Sequence, residues 1–327
     1  PDIFTVVGGH HATLIPEDFY LSTVDAICLG EGEPVIAQLI EAFANGRMPD
    51  GIANVVWRDG DGRFIHNART HSQQDLNALP LPRRDLVEKF RPEYFFLFDK
   101  PDTTVATGRG CPYRCNFCSV WKFYEGRTCQ MSAQRVVEEI RAVETEHITF
   151  VDDNFMMSHR REWAIAEQIK SDGIRYRYSM QCRTDSIATH PELVEYWVDI
   201  GLYAVLLGVE GGCDRIVKEV YKSCNIDRFT QAMKILRDYG VIIWGAFLVD
   251  PDWTEDDFKL LRDYVSENEI THTQFTILTP LPGTQLYRDR REELLTSDYS
   301  CFDTLHAVLP TRMPREKFYQ NFANLYR

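Results

Sequence analysis

The chain begins with an apolar run, IFTVV at residues 3–7, that stops at Gly8-Gly9. A short apolar run bounded by turn residues predicts a buried strand. A short helix is predicted from Pro16 in PEDFYLST, and a second short strand in DAICLG. That strand runs into EGEPVIAQLIEAFANG, which carries Pro34 in its first turn and Gly46 past its end, the punctuation of a helix. Residues 52–67, IANVVWRDGDGRFIHN, alternate apolar and polar positions about Asp59-Gly60-Asp61-Gly62 and predict a hairpin. Residues 73–93 are rich in proline and charge and read as a linker.

From Thr103 onward the pattern becomes regular. Strands are predicted at 103–107, 147–152, 176–182, 203–209, 241–249 and 272–279. Helices fall between them near 132–145, 159–172, 190–200, 213–238 (in two pieces) and 254–268. Strands alternating with helices predict an α/β fold whose parallel sheet curls into a full or partial barrel. Chemistry in such folds gathers at the carboxyl ends of the strands. The expected layout is an α/β unit at 1–50, a hairpin and linker at 51–100, the barrel at 101–290 and a helical extension at 291–327.

The chain has 327 residues and a formal net charge of −13. That field repels phosphate backbones and argues against a nucleic-acid partner. No apolar run approaches the length of a membrane span. The nine cysteines are an odd number and, one cluster apart, scattered, which suits a reducing cytoplasm rather than a disulfide framework.

The cluster is Cys111, Cys115 and Cys118, in GRGCPYRCNFCSVWKFY. Cys129 lies in a separate segment, and no histidine stands close by. A structural zinc site takes four ligands, commonly in C-x2-C pairs. Three thiolates instead suit a 4Fe–4S cluster with one iron left open for a substrate or cofactor.

This C-x3-C-x2-C, with Phe117 before its last cysteine and a predicted barrel strand ahead of it, resembles the motif of the radical S-adenosylmethionine (SAM) superfamily. The resemblance covers about 100–290. It implies a 4Fe–4S cluster on Cys111, Cys115 and Cys118, with SAM chelating the open iron. It further implies a flavodoxin- or ferredoxin-type electron donor and hydrogen abstraction from an unactivated C–H bond by a SAM-derived radical. Carried onto the strand ends, it turns Asp152, Asp153 and Asn154 toward the SAM ammonium, although the family's Gly-Gly-Glu-like motif is replaced here. It turns Arg183 toward the carboxylate, Glu210 toward the ribose, and Leu278 and Pro280 toward the adenine, with Phe117 beside the cluster. The residues alone equally allow a helix cap at Asn154, a structural salt bridge at Arg183 and core packing at Leu278 and Pro280.

VVGGHHATLIPED, CLGEGEP and DLNALPLPRRDL are similar to the class of this superfamily that carries a cobalamin-binding domain. This implies that residues 1–50 are the C-terminal part of a Rossmann-like (flavodoxin-like) domain, truncated because the chain opens on Pro1 in mid-strand. Gly8, Gly9, His10, Gly30 and Glu31 are the positions it turns toward cobalamin. The fuller D-x-H-x-x-G signature is absent, so neither His10 nor His11 is assigned as a cobalt ligand. EHITFVDDNFMM, QCRTDSIATHPELVEYWVDIGLYAVLLGVEG and DTLHAVLPTRMPREKFY look like the hopanoid C-3 methylases. That likeness implies radical methylation of a ring carbon of a small hydrophobic molecule, a hopanoid, by a cytoplasmic enzyme peripheral to the membrane. Trp121, Phe123, Tyr124, Phe155, Met156 and Met157 stand as pocket or as core. Two readings stay open beside it: an oxidative cyclase of the cobalamin class, and a non-catalytic iron–sulfur electron carrier or sensor.

Overall fold

The computed structural model describes residues 3–70, 74–97, 99–220 and 226–327. The N-terminal layer contains β1 (Val6–Val7), α1 (His10–Leu14), β2 (Ala26–Cys28), α2 (Glu33–Ala44), β3 (Val55–Arg58) and β4 (Phe64–His66). The strands lie in the order β1-β2-β3-β4, with β1 parallel to β2 and the remaining pairs antiparallel. The predicted hairpin is therefore not a separate piece. It pairs with β2, so the boundary expected at residue 50 falls inside one sheet. Helix α1 was not anticipated; the stretch after Gly9 reads as a turn, and five residues are too few to show a helical period.

The second layer is the anticipated barrel. Its elements are β5 (Asp102–Val105), β6 (Gly108–Arg109), α3 (Val120–Phe123), β7 (Cys129–Gln130), α4 (Ala133–Arg141), β8 (His147–Phe150) and α5 (His159–Ser171). They continue with β9 (Arg177–Cys182), α6 (Thr184–Thr189), α7 (Pro191–Asp199), β10 (Leu202–Glu210), α8 (Asp214–Glu219) and α9 (Ile226–Asp238). The layer ends with β11 (Ile242–Val249), α10 (Glu255–Glu267), β12 (His272–Ile277), α11 (Gln285–Arg290) and α12 (Arg315–Asn324). Six strands form one sheet in the order β12-β11-β10-β9-β8-β5, every pairing parallel. This is a partial (β/α)6 barrel.

Strand β11 alternates half-buried and buried positions along its whole length, the pattern of a strand with two unequal faces. Helices are stopped and started by local chemistry: Ser132 caps α4 by accepting from the Arg135 N–H, and Thr254 and Asp257 form a capping box on α10. The main core joins Phe150, Phe155, Tyr178 and Trp197, whose rings meet at centroid distances of 4.4–5.7 Å. Such contacts add to the hydrophobic term. The stretch read as a linker is also fastened down. Leu76 is 1% exposed inside the main core, and Arg84 pairs with Glu139 at 2.7 Å. The C-terminal extension covers the outer strand: Tyr326 Oη accepts from the Phe275 N–H at 3.1 Å and donates to its carbonyl at 2.9 Å. Among the described residues no helix is long and apolar enough to cross a membrane.

Candidate active site

Strand β5 ends at Val105, and the chain then enters a long excursion that carries the three cysteines. β6 and β7 close its base as a two-stranded antiparallel clip, Gly108 opposite Gln130 and Arg109 opposite Cys129. At Gly110, φ is +82°, and a Cβ there would lie 2.2 Å from the Arg127 carbonyl oxygen. Only glycine lets the two ends of the loop pass this closely. The loop is then pinned from several sides. The Asn116 N–H donates to the Val220 carbonyl at 3.2 Å, the Leu286 N–H donates to the Asn116 carbonyl at 2.9 Å, and Trp121 Nε1 donates to the Cys115 carbonyl at 2.9 Å.

Cys115 is buried, while Cys111 and Cys118 are half-buried. Burial, together with the nearby Cys115 and Cys111 thiols, pushes the Cys118 thiol up to about 11. Three soft donors brought together on one loop, close enough to feel one another, are a donor set for iron or zinc rather than for hard cations. A bound metal ion would displace the Cys118 proton to solvent in spite of that burial, because its charge compensates the thiolate. Of the other cysteines, Cys129 donates to the Gln74 carbonyl at 3.0 Å and belongs to the clip. Cys224 lies outside the described residues.

The strand-end residues divide. Asp152 does not face the cysteines: its carboxylate accepts from the Thr107 N–H and the Thr107 hydroxyl, both at 2.6 Å, and holds the start of the loop. Asn154 likewise turns to a neighbouring strand end, where its Oδ1 accepts from the Arg183 N–H at 3.2 Å. Asp153 reaches further along the loop, toward the cysteines, accepting from the Gly110 N–H at 2.8 Å. Burial raises its carboxyl, against the pull of that N–H and of His10. Taking the three as one ammonium-binding motif is therefore corrected. Successive residues at a strand end point in opposite directions.

Arg183 forks onto Asp185, Nε to Oδ1 at 2.9 Å and Nη2 to Oδ2 at 3.1 Å, so the salt bridge is realised. Its guanidinium also lies 3.5 Å from the ring centroid of Tyr113, whose hydroxyl donates to Asp185 at 3.0 Å. Tyr113 sits between Cys111 and Cys115, so this triad ties β9 to the cysteine loop. Sequence reading missed Tyr113; its only signal was its position inside the motif. Glu210, at the end of β10, is 7% exposed with φ of +68°, just where the β10–β11 register shifts after Gly208. A glutamate held in the left-handed region is a strained residue that surrounding structure enforces. Leu278 is buried in a small cluster with Val220 and Leu286, and Phe117 packs against it. That brings Phe117 and Leu278 together. Pro280 is buried in the same loop.

The N-terminal sheet meets this face. His10 Nδ1 stands 2.9 Å from Ser119 Oγ, and its ring stacks on Phe123 at 4.3 Å. Burial lowers the His10 imidazole, against the attraction of Asp153. Gly8 lies against Cys28, where a Cβ would be 3.5 Å from the Cys28 carbonyl oxygen and Cβ. Gly9 and Gly30 have φ of +91° and +80°, with open space where a Cβ would stand. Gly30 and Glu31 line a cleft of about 70 Å³ shared with Phe123 and Tyr124. Glu31 is not turned to that space for a ligand: it accepts from Arg109 at 2.8 Å and from the Gln74 N–H at 3.1 Å. Arg109 bridges to Glu33 as well, at 2.5 Å, and these two carboxylates outweigh burial to hold its guanidinium charged. Gly283, φ +80°, is pressed so closely on α1 that a Cβ would meet Leu14 Cβ at 2.3 Å. Of the apolar and aromatic candidates, Phe155 and Met156 are 0% and 5% exposed and belong to the core, whereas Trp121, Phe123 and Tyr124 stay on the loop.

Residues 105–265 match the Radical SAM superfamily model. Over 326 residues the chain is 32% identical to the hopanoid C-3 methylase of Methylococcus capsulatus, covering 98% of this chain and 61% of that protein. It is 24% identical over 342 residues to the anaerobic magnesium-protoporphyrin IX monomethyl ester cyclase of Rubrivivax gelatinosus, covering 100% of this chain and 60% of that one. The chain thus spans about three-fifths of the length of these two relatives. OxsB, solved as a cobalamin-dependent SAM radical enzyme with aqua-cobalamin and SAM bound, shares the fold with a TM-score of 0.75 at 17% identity, over 97% of this chain and 52% of that one. The three-cysteine loop at the end of the first barrel strand thus lies within the stretch, residues 105–265, that matches the radical SAM superfamily.

Proposed function

We propose that this chain carries the catalytic barrel of a cobalamin-class radical SAM methyltransferase acting on a small hydrophobic molecule, with a hopanoid ring carbon, C-3, as the substrate position. The observation that carries the reading is the cysteine loop flanked by the Gly8-Gly9-His10 turn, in a chain aligned along 98% of its length with a hopanoid C-3 methylase. The donor set fits a 4Fe–4S cluster: Cys111, Cys115 and Cys118 would hold three irons. When bound, the cluster and SAM supply hydrogen-atom abstraction, and cobalamin supplies the methyl group. An electron donor of flavodoxin or ferredoxin type belongs to the same reading.

The chain's own groups act by holding this face together. Asp153 fixes the Gly110 N–H at the entry to the loop. The Tyr113–Arg183–Asp185 triad fixes the loop against β9 and presents a charged guanidinium beside the cysteines. Glu210 is the carboxylate offered to the ribose, and Phe117 with Leu278 forms the apolar wall for the adenine. Gly8, Gly9, His10 and Gly30 are the positions this reading turns toward cobalamin; the cleft of about 70 Å³ beside Gly30 has room for a few waters and not for a corrin. Residues 1–50 are read as part of a cobalamin-binding domain, and the exposed Ile36, Ile40 and Phe43 of α2 suit a helix with more to cover.

The test is anaerobic. The cluster is reconstituted, SAM and reductant are added, and the products are weighed with hopanoid and hydroxocobalamin present. SAM cleavage with a gain of one methyl group on the hopanoid supports the reading. Loss of hydrogens without methyl gain would favour the cyclase alternative, which the alignment of this chain with 60% of the Rubrivivax cyclase keeps in view. Iron loading without SAM cleavage would leave an electron carrier.

A further inference from the structure

Away from the cysteine loop, one constellation has no part in the chemistry above. We propose that His159, His190 and Glu192 form a binding site for a divalent transition-metal ion of the zinc class. His159 opens α5 and His190 immediately precedes α7, so the segments that leave β8 and β9 converge there. The two imidazoles stack with centroids 4.1 Å apart. Glu192 Oε1 stands 3.2 Å from His159 Nε2 and 3.3 Å from His190 Nδ1. Among the described residues this is the one group of three or more His, Cys, Asp or Glu whose ligand atoms all lie within 4.8 Å of one another.

Zinc takes imidazole nitrogen at about 2.0–2.1 Å and carboxylate oxygen at about 2.0–2.2 Å, and tetrahedral angles then put neighbouring ligand atoms about 3.3 Å apart. Two of the three edges already have that length. Hydrogen bonding does not account for His159. Its Nε2 is enclosed and makes no hydrogen bond, although Oε1 is 3.2 Å away. The nitrogen is therefore aimed beside the carboxylate oxygen, as it would be toward an ion seated between the ligands. Two imidazoles and one carboxylate select a borderline metal such as zinc over calcium or magnesium. Arg160 and Trp163 border the same open depression, leaving the remaining coordination position to water.

The site would join two loops that reach the active face. α5 follows Asp153 and Asn154, and α6, which leads to His190, follows Arg183. A bound ion would staple these strand-end segments without touching the cysteines.

The test uses the chain with its iron–sulfur cluster reconstituted, so that the three thiols are occupied. It is equilibrated with zinc, freed of loose metal, and its zinc and iron are measured for wild type, His159→Ala, His190→Ala and Glu192→Gln. One zinc per wild-type chain is expected, lost in both histidine variants and held at least about tenfold more weakly by Glu192→Gln, with iron unchanged in all four. Zinc should also raise the midpoint of thermal unfolding of the wild type and not of the histidine variants. Equal zinc in the wild type and the histidine variants, or none in the wild type at sub-millimolar zinc, overturns the proposal. Neither result depends on SAM cleavage or methylation, so the proposed reaction stands or falls separately.

Discussion

The two sheets of this protein hold together by opposite means. In the barrel, strands that are neighbours in space are neighbours in sequence apart from the small cysteine-loop clip, and a continuous apolar core runs from Leu76 to Leu325. In the N-terminal sheet the strands are two to four residues long, and its apolar contacts fall into two small clusters. Specific polar pairs fasten it to the barrel, Arg109 on Glu31 and Glu33, His10 on Ser119 and Tyr299 on Asp18, beside the ring contact of His10 with Phe123. The barrel is stabilised chiefly by burial, and the N-terminal sheet is positioned by named pairs. Mutations should therefore cost stability in one and alignment in the other.

The sharpest test of that contrast lies on the loop between them. Cys111→Ala, Cys115→Ala or Cys118→Ala should each abolish SAM cleavage in reconstituted protein. Cys28, Cys129, Cys182, Cys213 and Cys301, and Cys224 outside the described residues, should be replaceable singly without that loss. Full cleavage by Cys115→Ala would break the assignment of the cluster.

Phe155→Ala comes next. Its ring is fully buried between Phe150 and Trp197. Unfolding in urea should show a loss of about 3–5 kcal/mol. A folded variant of full stability with a changed KM would instead return Phe155 to a substrate pocket.

Glu162 probes the barrel through pH. It is fully buried beside Arg161, and burial lifts its carboxyl from 4.5 to about 7. The folded state then keeps a proton that the unfolded chain has lost, so stability should fall as pH rises from 4.5 to about 7 and level off above, by roughly 3 kcal/mol at most. Glu162→Gln should flatten that stretch of the stability curve. An unaltered slope would mean that the carboxyl titrates normally.

Two smaller effects address alignment. Glu210→Ala should weaken SAM binding tenfold to a hundredfold, about 1.5–3 kcal/mol, while the iron stays in place. Glu210→Gly suits the positive φ better, so if both variants lose SAM alike, the carboxylate is responsible; if only Ala does, backbone strain is. Arg109→Ala should loosen the N-terminal sheet by about 1–2 kcal/mol, since the pairs are part-exposed. Hydrogen exchange should quicken over β1–β4 and not over β8–β11. Equal quickening in both would erase the distinction between the two regions.

The same division governed what could be read from sequence. Every strand of the six-stranded sheet was legible, because apolar patterning survives in strands with a buried face, whereas β6 and β7, two residues each, were not. The three cysteines were legible because their spacing carries chemistry by itself. Asp152, Asp153 and Asn154 were misread as a unit because a string of acceptors does not reveal which side chain points inward. Phe155 and Met156 look the same in sequence whether they line a core or a pocket. Tyr113 and Arg109 were missed because their partners, Asp185 and Glu31, lie 72 and 78 residues away. Helix α1 was too short to leave a period.

Gly283 has a consequence for descent. Its left-handed backbone and the 2.3 Å approach to Leu14 mean that a side chain at 283 meets two obstacles at once. Because the nearest atom is the Cβ of residue 14, only glycine at that position would clear the collision, and the backbone strain would remain. A substitution at 283 is thus tolerable only in a lineage that has already changed position 14, and the reverse order is closed. The loop after the last barrel strand and the first helix of the chain, nearly the whole sequence apart, would then drift as a pair, with residue 14 always moving first.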